Sequence, residues 1–217
     1  MVYLNGKFMP IEEARVPVLD RGFIFGDGIY ELVPVYSRVP FRLDEHLARL
    51  ERSLGAARIR NPHSRAEWRE IVLQLVAKQP FEDQGVYFQV TRGVAKRDHA
   101  FPKDVAPTVF MMSSPLATPS QEIVERGAAA VTAVDDRWLH CDIKSISLLG
   151  NVLLRQHSAD AGAVETILLR NGKLSEASAS NVFAVKNGVL LSPAKSNLIL
   201  PGITYDEIGR ASCRERV

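Results

Sequence analysis

Lys144 stands between two isoleucines in Cys141-Asp142-Ile143-Lys144-Ser145-Ile146, at the entry to a predicted helix. Apolar neighbours withdraw water from an amine, disfavour its ammonium form and leave more of the neutral nucleophile. Such an amine can condense with a carbonyl to form a Schiff base. A lysine taken alone more often lays its stem on apolar surface and keeps its charge in water, so position leaves both readings open. Glu176 follows a hairpin strand in Ser175-Glu176-Ala177-Ser178-Ala179-Ser180-Asn181, where small hydroxyl residues offer donors and room for a ligand. Its plainer reading is a surface acid capping a turn. Arg49 lies on the helix side shared with His46 and Ser53 and could present a fork to phosphate, although most helical arginines are solvated. Arg97 and His99, two apart, would share one face of an extended segment and could grip one carboxylate; a charged surface loop is the alternative.

Other chemistries find less support. Gly22-Phe23-Ile24-Phe25-Gly26-Asp27-Gly28 is glycine-rich but is not GxGxxG and opens no predicted helix. It reads better as a tight reversal feeding the strand that carries Tyr30. No nucleophile elbow accompanies the many Ser, His and Asp residues. No Cys/His spacing resembles a zinc site, and no metal is expected.

The elements that must position these residues follow from local patterns. Val2-Tyr3-Leu4 and Lys7-Phe8-Met9 flank Asn5-Gly6, a hairpin signal because both turn residues need φ > 0. A strand is expected through Ile29–Val33, ending before or bending at Pro34. Next comes a helix with Asp44 as N-cap and Leu43, Leu47, Leu50 and Leu54 as its buried stripe. A second helix opens with the capping box Ser64-Arg65-Ala66-Glu67 and buries Trp68, Ile71, Val72, Leu75 and Val76. Strands are expected at Val86–Thr91 and Thr108–Met112. Ser113-Ser114-Pro115-Leu116-Ala117-Thr118-Pro119-Ser120 then interrupts both patterns as a seam. Beyond it come a strand at Ala128–Val134 and a helix at Ser147–Ala161 with Leu148, Val152 and Leu149 inward. Hairpins follow across Asn171-Gly172 and Asn187-Gly188. The class is α+β, with largely antiparallel sheets flanked by helices in two domains: 1–114, a linker at 115–120, and 121–217.

Composition bounds the function. The 217 residues are 46% hydrophobic and 24% charged, and 27 Lys+Arg against 25 Asp+Glu leave a formal charge of +2. Without a basic block there is no electrostatic case for nucleic acid or an anionic membrane. The N-terminus lacks the layout of a secretory signal, and no apolar run approaches the ~20 residues of a membrane span. Two cysteines, Cys141 and Cys213, make no disulfide framework. A soluble, cytoplasmic protein handling small molecules is expected.

Five segments occur in order: Asp20-Arg21-Gly22-Phe23-Ile24-Phe25-Gly26-Asp27-Gly28-Ile29-Tyr30-Glu31, Tyr87-Phe88-Gln89-Val90-Thr91-Arg92-Gly93, Trp138-Leu139-His140-Cys141-Asp142-Ile143-Lys144-Ser145, Ser178-Ala179-Ser180-Asn181-Val182-Phe183 and Leu200-Pro201-Gly202-Ile203-Thr204. Together they resemble the class IV (fold type IV) pyridoxal-phosphate aminotransferases, within them the bacterial D-amino acid branch, from about Tyr3 to Ile208. The resemblance implies that Lys144 forms the Schiff base with pyridoxal 5'-phosphate and then moves the substrate proton. It implies that Glu176 faces the pyridine nitrogen, that Arg49 with the backbone at Ile203 and Thr204 binds the phosphate, and that Leu200 packs on the ring. Tyr30, Arg97 and His99 match the branch's carboxylate trap, with Arg and His delivered from the neighbouring subunit of a homodimer. The implied reaction is transamination of D-amino acids, D-alanine among them, with 2-oxoglutarate. The alternatives on this fold are a branched-chain L-amino acid aminotransferase, an aminodeoxychorismate lyase, and a non-catalytic remnant. Ala179 departs from relatives that commonly carry a hydroxyl there. Residues 209–217 lack the apolar spacing of the family's next helix, so the expectation is a C-terminally truncated protein with a non-native tail.

Overall fold

A computed structural model describes residues 1–214 of the chain, the last five by backbone alone. Two units divide it: Met1–Ala117 with Ile143–Ser147, and Thr118–Asp142 with the chain from Leu148 on. The short segment that carries Lys144 thus belongs with the first unit although it lies inside the second in sequence.

In the first unit Asn5 (φ 47°) and Gly6 (φ 94°) turn β1 (Val2–Leu4) into β2 (Lys7–Met9), as the sequence requires. β3 (Gly28–Tyr36), β4 (Val39–Pro40), β5 (Gln84–Thr91) and β6 (Thr108–Pro115) complete an antiparallel sheet of order β2-β1-β6-β5-β3-β4. β3 does not stop at Pro34. The carbonyl of Pro34 accepts from Phe41 N at 2.8 Å, so its missing N–H falls on the β4 side and the ladder to β5 is intact. Ser113, Ser114 and Pro115, read as the start of the seam, are the end of β6 and pair with Val86, Gly85 and Gln84.

Glycine-rich 22–28 begins with a five-residue helix, α1 (Arg21–Phe25), contrary to expectation. Asp20 caps it by accepting from Gly22 N, and Gly26 ends it at φ 65°. α2 (Leu43–Ala56) and α3 (Arg65–Ala77) cover one face of the sheet. The leucine stripe of α2 is buried as expected, but Asp44 is not its cap. Arg42 holds that place at φ 49° without a side-chain cap, and Asp44 is the second residue of the first turn, paired with Arg69. The capping box of α3 forms in both directions, and Trp68 stacks on Phe88 of β5 with centroids 5.6 Å apart. Ile71 is only partly buried, at the margin of this core.

In the second unit, α4 (Gln121–Arg126) is capped by Ser120 and precedes β7 (Ala130–Val134). α5 (Leu149–Asp160) leads into β8 (Glu165–Arg170), which pairs parallel with β7, as a crossover helix allows. β9 (Lys173–Ala177) pairs antiparallel with β8 across Asn171-Gly172. A separate hairpin joins β10 (Ala184–Lys186) to β11 (Val189–Leu191). The inward face expected for α5 is corrected. Leu149, Val152 and Leu153 are exposed, whereas Ser158 is buried and the carbonyl of Leu154 accepts from Thr166 Oγ1 at 2.6 Å. Thr166 of β8 thus meets the backbone of α5 at Leu154, while the Ser158 hydroxyl bonds within its own helix, to Arg155. α6 (Ile203–Arg214) carries its helical backbone through residues expected to be a tail; 215–217 lie outside the described residues. Among the described residues no helix is long and apolar enough to cross a membrane, and no His/Cys/Asp/Glu group could hold a metal.

Candidate active site

Lys144 is not at a helix entry. It lies in an irregular segment laid along β3, where Tyr30 N donates to Lys144 O at 2.9 Å and Ile146 N donates to Gly28 O at 3.0 Å. Lys144 N approaches Ser53 Oγ of α2 at 3.4 Å. The backbone on both sides of the lysine is therefore fixed, and its Nζ stands 4.1 Å from the centroid of the Tyr30 ring. Tyr30 in turn packs on Tyr87 with centroids 5.7 Å apart, and burial beside Tyr30 pushes the Tyr87 hydroxyl up to about 12.

One turn before Ser53 on α2, Arg49 is buried rather than solvated. Its Nε and Nη2 donate to the two oxygens of Glu31, each at 2.7 Å, and His46 Nδ1 lies 2.9 Å from Glu31 Oε2. Glu31 is wholly inaccessible to water. Burial alone would raise its pKa, but the hydrogen bonds from Arg49 and His46 win and hold it below the ordinary value. The carboxylate fixes the guanidinium plane by a two-point contact. Glu31 of β3 with His46 and Arg49, which lie beside the leucine stripe of α2, thus form a buried polar cluster.

Arg97 and His99 lie in an exposed, irregular loop rather than an extended segment. They still reach one spot: the Phe25 ring lies 5.3 Å from the Arg97 guanidinium carbon and 5.3 Å from the His99 ring.

In the second unit Glu176 is a residue of β9, 5% exposed, which rules out a turn-capping surface acid. Oε1 accepts from Arg137 Nη1 at 2.8 Å and Oε2 from Leu200 N at 2.9 Å. Burial nevertheless raises its pKa above the usual glutamate value, outweighing Leu200 N and Arg137, and the nearby charge of Asp135 adds to the rise. Arg137 gives its Nε and Nη2 to Asp135. With Arg137, Arg170 and Ser175 around it, the carboxyl is held down at about 2 despite burial. Asn181 ties the next segment down, donating to Leu200 O at 2.8 Å and accepting from Gly202 N at 3.1 Å. Ile203 and Thr204 open α6, at the positive end of its dipole. Ala179 lacks a hydroxyl, yet its N–H donates to Glu165 Oε2 at 3.3 Å, and Glu165 also holds Ser178 and Ser180.

The profile of the amino-transferase class IV family matches residues 28–216. The chain belongs to the class IV aminotransferases. This class IV aminotransferase is 41% identical over 203 residues to the D-alanine aminotransferase of Bacillus licheniformis, covering 94% of this chain and 71% of that protein. To the D-alanine aminotransferase of Staphylococcus aureus (strain N315) it is 41% identical over 204 residues, covering 94% and 72%. Among solved structures it resembles the Escherichia coli branched-chain amino acid aminotransferase at a TM-score of 0.88 and 26% identity, covering 98% of this chain and 74% of that one. The branched-chain aminotransferase of Thermoproteus uzoniensis with norvaline follows at 0.87 and 25%, with the same coverage. The enzyme has the mixed α and β architecture of fold type IV.

Residue type alone did not point to the groups that hold these candidates in place: Glu31 beneath Arg49, Arg137 and Asp135 beside Glu176, and Asn181 between Leu200 and Gly202. Glu31 had a signal. It falls on the inward register of β3 with Ile29, Val33 and Val35, and a buried carboxylate demands a cation.

Proposed function

We propose that this aminotransferase is a pyridoxal-phosphate enzyme moving the amino group of a D-amino acid such as D-alanine to 2-oxoglutarate, as a cytoplasmic homodimer. The observation that carries the reading is the 41% identity, over 94% of the chain, to proteins named D-alanine aminotransferase. The neighbours named for branched-chain substrates share the fold at 25–26% identity, which supports that alternative less.

Each unit supplies groups whose chemistry suits the cofactor: the first an amine (Lys144) and a guanidinium held flat by Glu31 (Arg49), the second a buried carboxylate (Glu176) and the amides at the start of a helix (Ile203, Thr204). A Cβ on Gly202 would stand 2.3 Å from Asn181 Oδ1, so the chain before α6 runs closer than any other residue permits. Arg49, Ile203 and Thr204 would hold the phosphate, Leu200 would pack on the ring, and Glu176 would face the pyridine nitrogen. Pyridoxal phosphate supplies an aldehyde that receives the amino group and a ring that withdraws electrons from the substrate Cα.

The rest is done by this chain. Lys144 Nζ would take the proton from the substrate Cα, help typically worth ~10²–10⁴ in rate. Its fixed backbone matters because proton transfer requires heavy atoms within hydrogen-bond reach. Burial raises the pKa of Glu176 above its ordinary value, and Arg137 and Leu200 N keep both of its oxygens in place. Tyr30, Arg97 and His99 grip the substrate carboxylate, the latter two reaching across the dimer. A fixed carboxylate decides which Cα hydrogen faces Lys144, and hence the handedness.

A coupled assay tests this. Pyruvate should form from D-alanine and 2-oxoglutarate, and L-leucine should be a poor donor. Turnover of L-leucine or L-valine alone would move the enzyme to the branched-chain group.

A further inference from the structure

The stretch 20–28 feeds β3, but its side chains point to a second task. Between Thr91 and Thr108 the chain makes a long connection without helix or paired strand apart from a bridge at Val94, and Lys96 to Phe101 are almost all exposed. Such a segment has little packing of its own to keep Arg97 and His99 in one conformation.

Arg21, buried at 4% exposure, reaches into it. Its Nη1 donates to Asp98 O at 2.5 Å and approaches Ala100 O at 3.5 Å, the two carbonyls that flank His99. Its Nε donates to Asp27 Oδ2 at 2.7 Å. Asp27 also receives Arg92, at 2.8 and 2.9 Å, and the Arg92 guanidinium carbon lies 3.7 Å from the centroid of Phe101. The Phe25 ring faces three of these groups, with the Arg21 guanidinium carbon at 4.8 Å beside Arg97 and His99. The loop is thus stapled on both sides of His99, by charge-assisted bonds to main chain and by a cation over an aromatic ring. Both staples rest on the single carboxylate of Asp27.

We propose that Arg21 is a positioning residue that holds the 97–101 loop and thereby sets how firmly the substrate carboxylate is gripped. The proposal rests on the reading of Arg97 and His99 as that grip. Lysine cannot replace Arg21, because one ammonium cannot serve Asp27 and the loop carbonyls together with fixed geometry.

The test uses full-length holoenzyme carrying Arg21→Met, Arg21→Lys, Phe101→Ala or Arg97→Ala. Methionine keeps the apolar stem, and Asp27 keeps Arg92, so no buried charge is stranded. Phe101 is half exposed, so its removal spares the core. Four quantities are measured: KM and kcat for D-alanine, the dissociation constant of pyridoxal phosphate, and amide hydrogen exchange over residues 97–101.

Arg21→Met should raise KM about tenfold or more, the ratio one charge-assisted hydrogen bond commonly carries. It should leave kcat within a few-fold and cofactor affinity unchanged, while speeding exchange in the loop. Arg21→Lys should fall between, and Phe101→Ala should move the same quantities less. Unchanged exchange in Arg21→Met, or faster exchange with unchanged KM, overturns the proposal while Arg97→Ala still raises KM. An Arg97→Ala enzyme with normal KM overturns the carboxylate reading instead, and with it the role given to Arg21, whatever the loop exchange shows.

Discussion

Glu31→Gln is the most informative perturbation of the first unit. The substitution keeps the shape of the side chain and removes its charge. In the native protein three donors converge on Glu31: Arg49 twice at 2.7 Å and His46 Nδ1 at 2.9 Å. Glutamine supplies one acceptor oxygen and turns an NH2 toward donors that cannot receive it. Arg49, a buried cation, then loses the carboxylate that takes its Nε and Nη2. Breaking one half of such a pair costs about 3–5 kcal/mol, against a total stability of about 5–15 kcal/mol. Urea unfolding followed by the fluorescence of Trp68, fully buried in the same core, reads this loss. The pH dependence supplies a second arm. A carboxylate whose folded pKa is depressed contributes stability that is fully present above its unfolded value, 4.5 for Glu31, and is lost as pH falls through the folded value. The gap between wild type and variant should therefore be widest near neutrality and narrow below pH 4.5. A loss under about 1 kcal/mol at neutral pH, or a gap that does not narrow in acid, refutes the reasoning.

In the second unit, lowering Asp135 from 3.8 to about 2 corresponds to stability on the order of 2 kcal/mol. That stability is present above pH 3.8 and lost as pH falls toward 2, so acid unfolding of Asp135→Asn should show a shallower slope over that window. Gly93 has φ 106°, and a Cβ there would meet Ala106 O at 2.0 Å. Gly93→Ala should therefore cost about 3 kcal/mol or more and lower the melting temperature by several degrees; an unchanged melting curve would contradict that contact.

The parts of the fold legible in the sequence were those decided locally. The Asn5-Gly6 turn, the Ser64 capping box and the leucine stripe of α2 depend on residues within one turn of each other, and all form. Where tertiary partners decide, local reading failed. Asp44 lost the cap of α2 to Arg42, whose left-handed backbone no propensity suggests, and found Arg69 instead. Leu149 and Val152 looked inward by hydrophobicity, but they are exposed, and β8 meets the helix through the hydrogen bond from Thr166 to the carbonyl of Leu154. Among the candidate site residues, Lys144, Arg49 and Glu176 were open to plainer readings by residue type and were singled out only through the family resemblance. Their supports, Glu31, Arg137 and Asp135, lie up to tens of residues away in sequence and are legible only as charges that burial obliges to pair.

The central claim is that Lys144 is the amine that joins pyridoxal phosphate. Its most direct measurement is peptide mapping by mass spectrometry after reconstitution with the cofactor and reduction with borohydride. The account predicts a pyridoxyl phosphate mass on the peptide carrying Lys144, lost when D-alanine is added before reduction. Label on another lysine, or none on Lys144, contradicts it.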